Sequence, residues 1–163
     1  MASDSSFDVV SQFERQELVN AIDQTMREAT TRYDLKNTGS QVTLDRDSIT
    51  LASASEFTLK AVRELLLTKA VRRGLSPKVL DFGKVEQAAR GTVRQTVRLR
   101  QGIDQELARQ ISKLIRDRCP KVRPQIQGDA VRISGASKDQ LQAAIKLLRE
   151  QDYPVPLQFV NYR

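Results

Sequence analysis

The sequence predicts an α+β protein that contains two tandem copies of one βαββαβ unit, and three observations support this. Residues 48–66 match residues 130–148 at an offset of 82 positions, with apolar residues at equivalent places. Residues 16–26 match residues 105–115 in the same way, at an offset of 89 positions. Each copy also combines the two-residue apolar spacing of strands with the three- and four-residue spacing of helices.

Each copy is expected to contain a strand, a helix, two short strands, a second helix and a last strand. A serine marks the start of each second helix, because its hydroxyl caps the free N–H groups there. In the first copy we expect a strand over residues 7–13, a helix over 18–29, strands at 42–44 and 49–51, a helix from Ser55 to Gly74, and a strand near 78–82. In the second copy we expect a strand over 92–100, a helix from Asp104 to Ile115, strands at 122–127 and 131–134, a helix from Ser137, and a strand over 156–162.

This order of elements fits an antiparallel sheet with both helices on one face, which is the ferredoxin-like fold. We expect one domain over residues 1–91 and a second over 92–163, joined by a short polar stretch at 83–91. The opposite face of each sheet is left open by this arrangement. That open face is where a binding site is to be sought.

The composition argues against an enzyme and against a metal site. The chain has one cysteine, Cys119, and no histidine. Without histidine, a Ser-His-Asp triad, a Cys-His pair and the usual zinc or iron ligand sets are all excluded. A lone cysteine makes no internal disulfide, which is typical of a reducing compartment. We therefore expect no catalytic residue, no metal and no cofactor.

The sequence also lacks the marks of membrane insertion or export. No stretch approaches the roughly 20 apolar residues of a transmembrane helix. The first six residues are polar and do not resemble a secretory signal. We expect a cytoplasmic protein.

Positive charge is distributed unevenly along the chain. Residues 1–82 hold 11 basic and 12 acidic side chains, whereas residues 83–163 hold 16 and 8. The net charge of the second half is thus +8, against −1 for the first. This asymmetry favours a polyanionic partner over a charge that serves solubility alone. We expect the second domain to be basic and the first to be near neutral.

The open face of the second copy collects arginine and amide side chains. Because strand side chains alternate, the apolar residues that face the helices define the residues that face outward. The outward set is Arg94, Thr96, Arg98, Arg100, Arg123, Gln125, Gln127, Arg132 and Ser134, with no acidic residue expected among them. Arginine grips phosphate oxygens or a guanine edge in pairs, and glutamine can read base edges. The candidate ligand-binding residues are Arg98, Arg100, Gln125, Gln127 and Arg132.

The corresponding face of the first copy has a different character. Its outward residues are Asp8, Gln12, Thr43, Asp45 and Thr50, which make it acidic or neutral. We expect it to be structural or to meet a protein partner.

Several segments in order resemble the YajQ family of bacterial nucleotide-binding proteins. They read SFDVVSQ, NAIDQTMREATTRYDLKN, VRLRQGID, VRPQIQGDAVRISGASKDQLQAAI and LQFVNYR. The resemblance implies two ferredoxin-like domains that exchange their first strands, and nucleotide or nucleic-acid binding without known catalysis. It also implies cyclic di-GMP as the ligand and a transcription regulator as the partner, since some members of the family act in this way.

Two other functions compete with a small-nucleotide receptor. An RNA-binding accessory protein would use the same basic face, although strand 130–134 has no aromatic side chain on which a base could stack. A small phosphatase of ferredoxin-like fold would need an arginine–asparagine pair. None of Asn20, Asn37 and Asn161 is expected in a loop beside a suitable arginine.

Overall fold

The computed structural model describes residues 4–163, which form two four-stranded antiparallel sheets and four α-helices. The elements of the first copy are β1 (Ser5–Val10), α1 (Arg15–Thr31), β2 (Gln41–Leu44), β3 (Ser48–Ser53), α2 (Glu56–Arg72) and β4 (Leu80–Gln87). The elements of the second copy are β5 (Val93–Leu99), α3 (Gln105–Arg118), β6 (Arg123–Gln127), β7 (Ala130–Gly135), α4 (Lys138–Arg149) and β8 (Gln158–Val160). The predicted fold class, two tandem βαββαβ units, is confirmed.

The two copies exchange their first strands, as the family resemblance implies. One sheet has the strand order β2-β3-β5-β4 and the other the order β6-β7-β1-β8. β5 therefore lies between β3 and β4, and β1 lies between β7 and β8, antiparallel to both neighbours in each case. Each sheet thus takes one of its two central strands from the other copy.

The compact units of the molecule follow the exchange. One unit, here called the middle unit, comprises residues 13–100, and the other, the terminal unit, joins residues 4–12 to residues 101–163. The sequence repeat, by contrast, divides between β4 and β5. The unit borders accordingly differ from the borders of the repeat at 91 and 92.

The core of the middle unit lies between its sheet and the helices α1 and α2. Leu18 of α1 and Leu59 and Leu66 of α2 are fully buried against Ile49 of β3 and Val97 of β5. Val97 comes from the exchanged strand, and burying such a side chain contributes about 1.5–3 kcal/mol. The exchange is therefore built into this core.

The terminal unit is organised in the same way around β1. Phe7 and Val9 of β1 have no exposed surface and pack with Ile111, Ile133 and Leu148. The ring of Phe7 also meets the ring of Phe159 of β8 edge to face, with centroids 6.0 Å apart, a geometry that aromatic pairs favour.

Helix starts follow the predicted capping residues. The hydroxyl of Ser55 accepts a hydrogen bond from the N–H of Thr58, and Ser137 accepts one from the N–H of Gln140. The carboxylate of Asp104 accepts from the N–H of Leu107 at 2.8 Å. Each cap satisfies one of the N–H groups that a helix leaves unpaired in its first turn.

Two local details differ from what the sequence predicts. Ile126 is opposite the buried Val131 and so has the expected inward direction, but it is 41 % exposed, because β6 is an edge strand. β4 was expected to end near residue 82, but it continues to Gln87 through a bulge between Phe82 and Val85. At this bulge the carbonyl oxygen of Gly83 accepts a hydrogen bond from the side-chain amide of Gln95, at 2.6 Å.

The exchange makes a prediction about fragments. A chain of residues 13–100 contains all four strands of its sheet, so we expect a cooperative thermal unfolding transition. A chain of residues 92–163 lacks β1, the strand that joins β7 to β8, and we expect no cooperative transition from it. Circular dichroism melting and the dispersion of amide NMR signals measure both. A cooperative melt with dispersed signals from residues 92–163 would contradict the importance of β1.

Candidate functional site

The open face of the middle unit has a small, polar and hydroxyl-rich centre. Thr43 of β2, Thr50 of β3 and Thr96 of β5 are aligned across three neighbouring strands. Arg94 and Arg98 of β5 stand on either side of this threonine row, and both are exposed. The outward orientation predicted for the alternate residues of β5 is confirmed, but these residues lie on the sheet of the first copy.

The arginines on this face differ in how far they are neutralised. Arg94 forms an exposed ion pair with Glu86 at 3.5 Å, and Arg100 forms one with Asp81 at 3.2 Å. Exposed pairs of this kind contribute little to stability and are readily opened. Arg98 is opposite Asp81 in the register, yet its side chain makes no ion pair within residues 4–163. Arg98 is thus an exposed cation without a carboxylate partner in the described chain.

On the open face of the terminal unit, the positive charge of Arg132 is neutralised by a carboxylate on the same face. Arg132 of β7 is opposite Asp8 of β1 and donates a hydrogen bond to its carboxylate at 2.9 Å. The side-chain amide of Asn161 donates to the other oxygen of Asp8, also at 2.9 Å. The hydrogen bond from Arg132 is the main cause that lowers the pKa of Asp8, against the opposing effect of burial. The expectation that this face carries no acidic residue is wrong, because the exchanged β1 brings Asp8 into it.

The five candidate residues divide between the two units. Gln125 and Gln127 of β6 are exposed beside Arg132, and Gln125 is directly opposite it in the register. Arg98 and Arg100 belong to the middle unit, at and just beyond the end of β5. The structure therefore does not bring all five together on one sheet.

The strand exchange also redistributes the charge. The middle unit holds 16 basic and 11 acidic side chains, a net charge of +5. The terminal unit holds 11 and 9, a net charge of +2. The arginines of β5 thus add to the middle unit, which contains both helices of the first copy. The second half of the sequence is the more basic half, whereas the middle unit is the more basic of the two folded units.

The terminal unit has a concave region that the sequence analysis did not identify. A cavity of about 330 Å³ lies between β1, α4 and the last residues of the chain. Its wall includes the apolar side chains of Leu141 and Ile145 and the ring of Tyr162. Lys138 and Arg163 bring positive charge to the same lining. Only the folded chain joins these distant residues, so no local sequence pattern marks the cavity.

Neither a metal site nor a membrane span emerges from the described chain. No group of three or more histidine, cysteine, aspartate or glutamate side chains within residues 4–163 is arranged to hold a metal ion. None of the helices in this range combines the length and apolar character needed to cross a bilayer.

The Asp8–Arg132 pair predicts an acid-dependent contribution to stability. Asp8→Ala should lower the free energy of unfolding at neutral pH by about 1–3 kcal/mol, because hydrogen bonds to a charged group are lost. Since the pKa of Asp8 is lowered on folding, this contribution is present above the unfolded pKa and is lost as the pH falls through the folded one. Urea unfolding between neutral pH and about pH 2 should therefore show a shallower acid loss in the variant than in the wild type. Asp23→Ala, at an exposed site on α1, is the control. Equal slopes for the wild type and Asp8→Ala would contradict the role assigned to the pair.

Comparisons with known proteins agree with the resemblance seen in the sequence. Residues 5–163 match the family described as "Nucleotide-binding protein YajQ-like". A protein named "Nucleotide-binding protein" from Synechococcus sp. (strain JA-3-3Ab) is 58 % identical over 163 residues, which covers 100 % of both chains. A protein of the same name from Chloroflexus aurantiacus is 55 % identical over 165 residues, again with 100 % of both chains covered. The chain therefore belongs to the YajQ-like family of nucleotide-binding proteins.

Proposed function

We propose that this protein is a non-enzymatic receptor for a small phosphate-bearing nucleotide, cyclic di-GMP, which binds on the open face of the middle unit. The observation that carries the proposal is Arg98, an exposed guanidinium with no carboxylate partner within residues 4–163. It stands beside the hydroxyl-rich centre of the open sheet face. Because no carboxylate of the described chain neutralises it, this guanidinium is available to bind the phosphate of a ligand.

The surroundings of Arg98 suit a phosphate group. Ser48 is opposite Arg98 in the register, and Thr50 and Thr96 form the next pair on the same face of these strands. Hydroxyl groups donate to phosphate oxygens without adding charge, and the guanidinium grips two oxygens at once. Arg94, two side chains further along the same face, adds a second cation whose pair with Glu86 is exposed. A cyclic dinucleotide offers both phosphates and guanine edges to such a pair of arginines.

Two features favour a small ligand over a length of RNA. Strand residues on the open faces of both units include no aromatic side chain within the described chain, so bases have no stacking platform. Acidic side chains, Asp81 and Glu86 among them, also interrupt the row of arginines. A single-stranded nucleic acid instead requires a continuous positive track over several nucleotides.

RNA binding remains the second candidate, and the charge of the middle unit supports it. A net charge of +5 on residues 13–100 would attract any polyanion. This reading predicts affinity that grows with the length of the nucleotide and falls steeply with salt.

The absence of histidine supports a receptor without catalysis. A receptor that changes no bond in its ligand must act through another macromolecule. We therefore propose a protein partner as the output, with a transcription regulator as the kind that the family resemblance suggests.

Calorimetric titration of the intact protein with cyclic di-GMP tests the function. We expect a saturable one-site isotherm whose affinity falls about 5- to 150-fold in Arg98→Ala, the loss of one charge-assisted contact. Arg116→Ala removes an equally exposed arginine from α3 in the terminal unit and should leave the affinity unchanged. Unchanged affinity in Arg98→Ala, with an unchanged melting temperature, would show that the site lies elsewhere.

A second titration compares the other predicted residues and the other ligand. Gln125→Ala and Gln127→Ala test the face of the terminal unit, where Arg132 itself is a poor probe because it pairs with Asp8. If they weaken binding while Arg98→Ala does not, the ligand occupies the terminal unit. A short single-stranded RNA that binds with a steep salt dependence, with no saturable binding of cyclic di-GMP, would favour the RNA-binding function.

A further inference from the structure

The middle unit carries a second basic feature on its helical side. An open groove of about 570 Å³ is lined by side chains of α1 and of the C-terminal end of α2. Its lining residues are Glu17, Gln24, Arg27, Lys69, Arg72 and Arg73. Because the helices cover the inner face of the sheet, this groove lies on the opposite side of the unit from Arg98.

Two of the four cations in the groove already form ion pairs with carboxylates. Lys69 pairs with Glu28 at 3.1 Å, and Arg73 pairs with Glu17 at 3.5 Å. The hydrogen bond from Lys69 is the main cause that lowers the pKa of Glu28. Arg27 and Arg72 are exposed and make no ion pair within the described residues. The groove therefore has two positive charges in excess of its acidic partners.

Helix electrostatics explains only part of this arrangement. Lys69 and Arg72 lie in the last turn of α2, where cations complement the helix dipole. However, cations three or four residues apart along a helix repel each other, and Lys69 has this spacing to both Arg72 and Arg73. Arg27 belongs to α1 and brings a fourth cation from the neighbouring helix. A bound anion would reduce the repulsion between cations that come from two helices.

We propose that this groove binds an oligophosphate, a group of two or more adjacent phosphates such as inorganic triphosphate or the phosphate tail of a nucleoside triphosphate. Arg27 and Arg72 contact the phosphate oxygens from the two helices through paired hydrogen bonds. The amide of Gln24 donates a further hydrogen bond, whereas Lys69 is already paired with Glu28. A ligand with several charges fits better than single phosphate, because it meets both unpaired arginines at once. This site is separate from the face that holds Arg98.

Titration of the intact protein with inorganic triphosphate tests the proposal. We expect saturable one-site binding of triphosphate. Orthophosphate should bind at least about tenfold more weakly, because it can contact only one of the two unpaired arginines. Arg27→Gln and Arg72→Gln should each weaken triphosphate binding about 5- to 150-fold. Arg116→Gln and Arg118→Gln are matched controls, since both remove an exposed cation from the last turn of another helix, α3. These controls should leave triphosphate affinity unchanged.

The outcomes separate the groove from the sheet face and from simple charge effects. Arg98→Ala should retain triphosphate binding; if it abolishes that binding, the anion sits on the sheet and the proposal is wrong. If Arg72→Gln and Arg118→Gln weakened triphosphate binding equally, the binding would depend on total charge alone. That result would also overturn the proposal. Equal affinity for GTP and for triphosphate would show a site that reads phosphates alone, and tighter binding of GTP would add a contact to the nucleoside. No saturable triphosphate binding to the wild type, with or without RNA binding, would refute the groove as a site.

Discussion

The pairing of β1 with β7 and of β5 with β3 is the constraint on which the rest of the structure depends. In both sheets the exchanged strand is central and has antiparallel neighbours on both sides, so its removal would leave two unconnected strand edges. The same strands supply buried side chains, Phe7 and Val9 to one core and Val93 and Val97 to the other. The hydrogen-bond ladder and the hydrophobic core therefore impose the same topology. A slip of one residue in either pairing would turn these side chains out of their cores.

The exchange decides which charges meet. β1 carries Asp8 into the face that already contains Arg132, where the two form a hydrogen-bonded pair that Asn161 completes. β5 carries Arg94 and Arg98 into a face where β3 presents hydroxyl groups and alanine and β4 presents Asp81 and Glu86. One face is consequently neutral and the other keeps an exposed arginine. The same residues without exchange would have produced a wholly basic face and a wholly acidic or neutral one.

These effects mark the limit of what the sequence could predict. Apolar spacing and capping residues are local signals, so the helices that begin after Ser55, Asp104 and Ser137 were predictable. The outward direction of Arg98 follows from alternation within a single strand and was predictable for the same reason. The neighbours of Arg98 and Arg132 depend on strand order, which periodicity does not encode. Arg98 and Arg100 would share one sheet with Gln125, Gln127 and Arg132 only if the copies did not exchange strands. The groove between α1 and α2 could not be predicted either, because it forms only when the two helices pack together.

Whether a cation already has an ion-pair partner, rather than the number of charges in its unit, determines whether it is available to a ligand. Arg132 and Lys69 are both basic residues near a candidate surface, but each is held by a carboxylate within the same unit. Binding an anion at such a residue must first break or share an existing pair, which offsets much of the gain. Arg98, Arg27 and Arg72 incur no such cost, because none of them forms an ion pair with a carboxylate of the described chain. Anion binding should therefore respond to these three residues far more strongly than to the net charge of either unit.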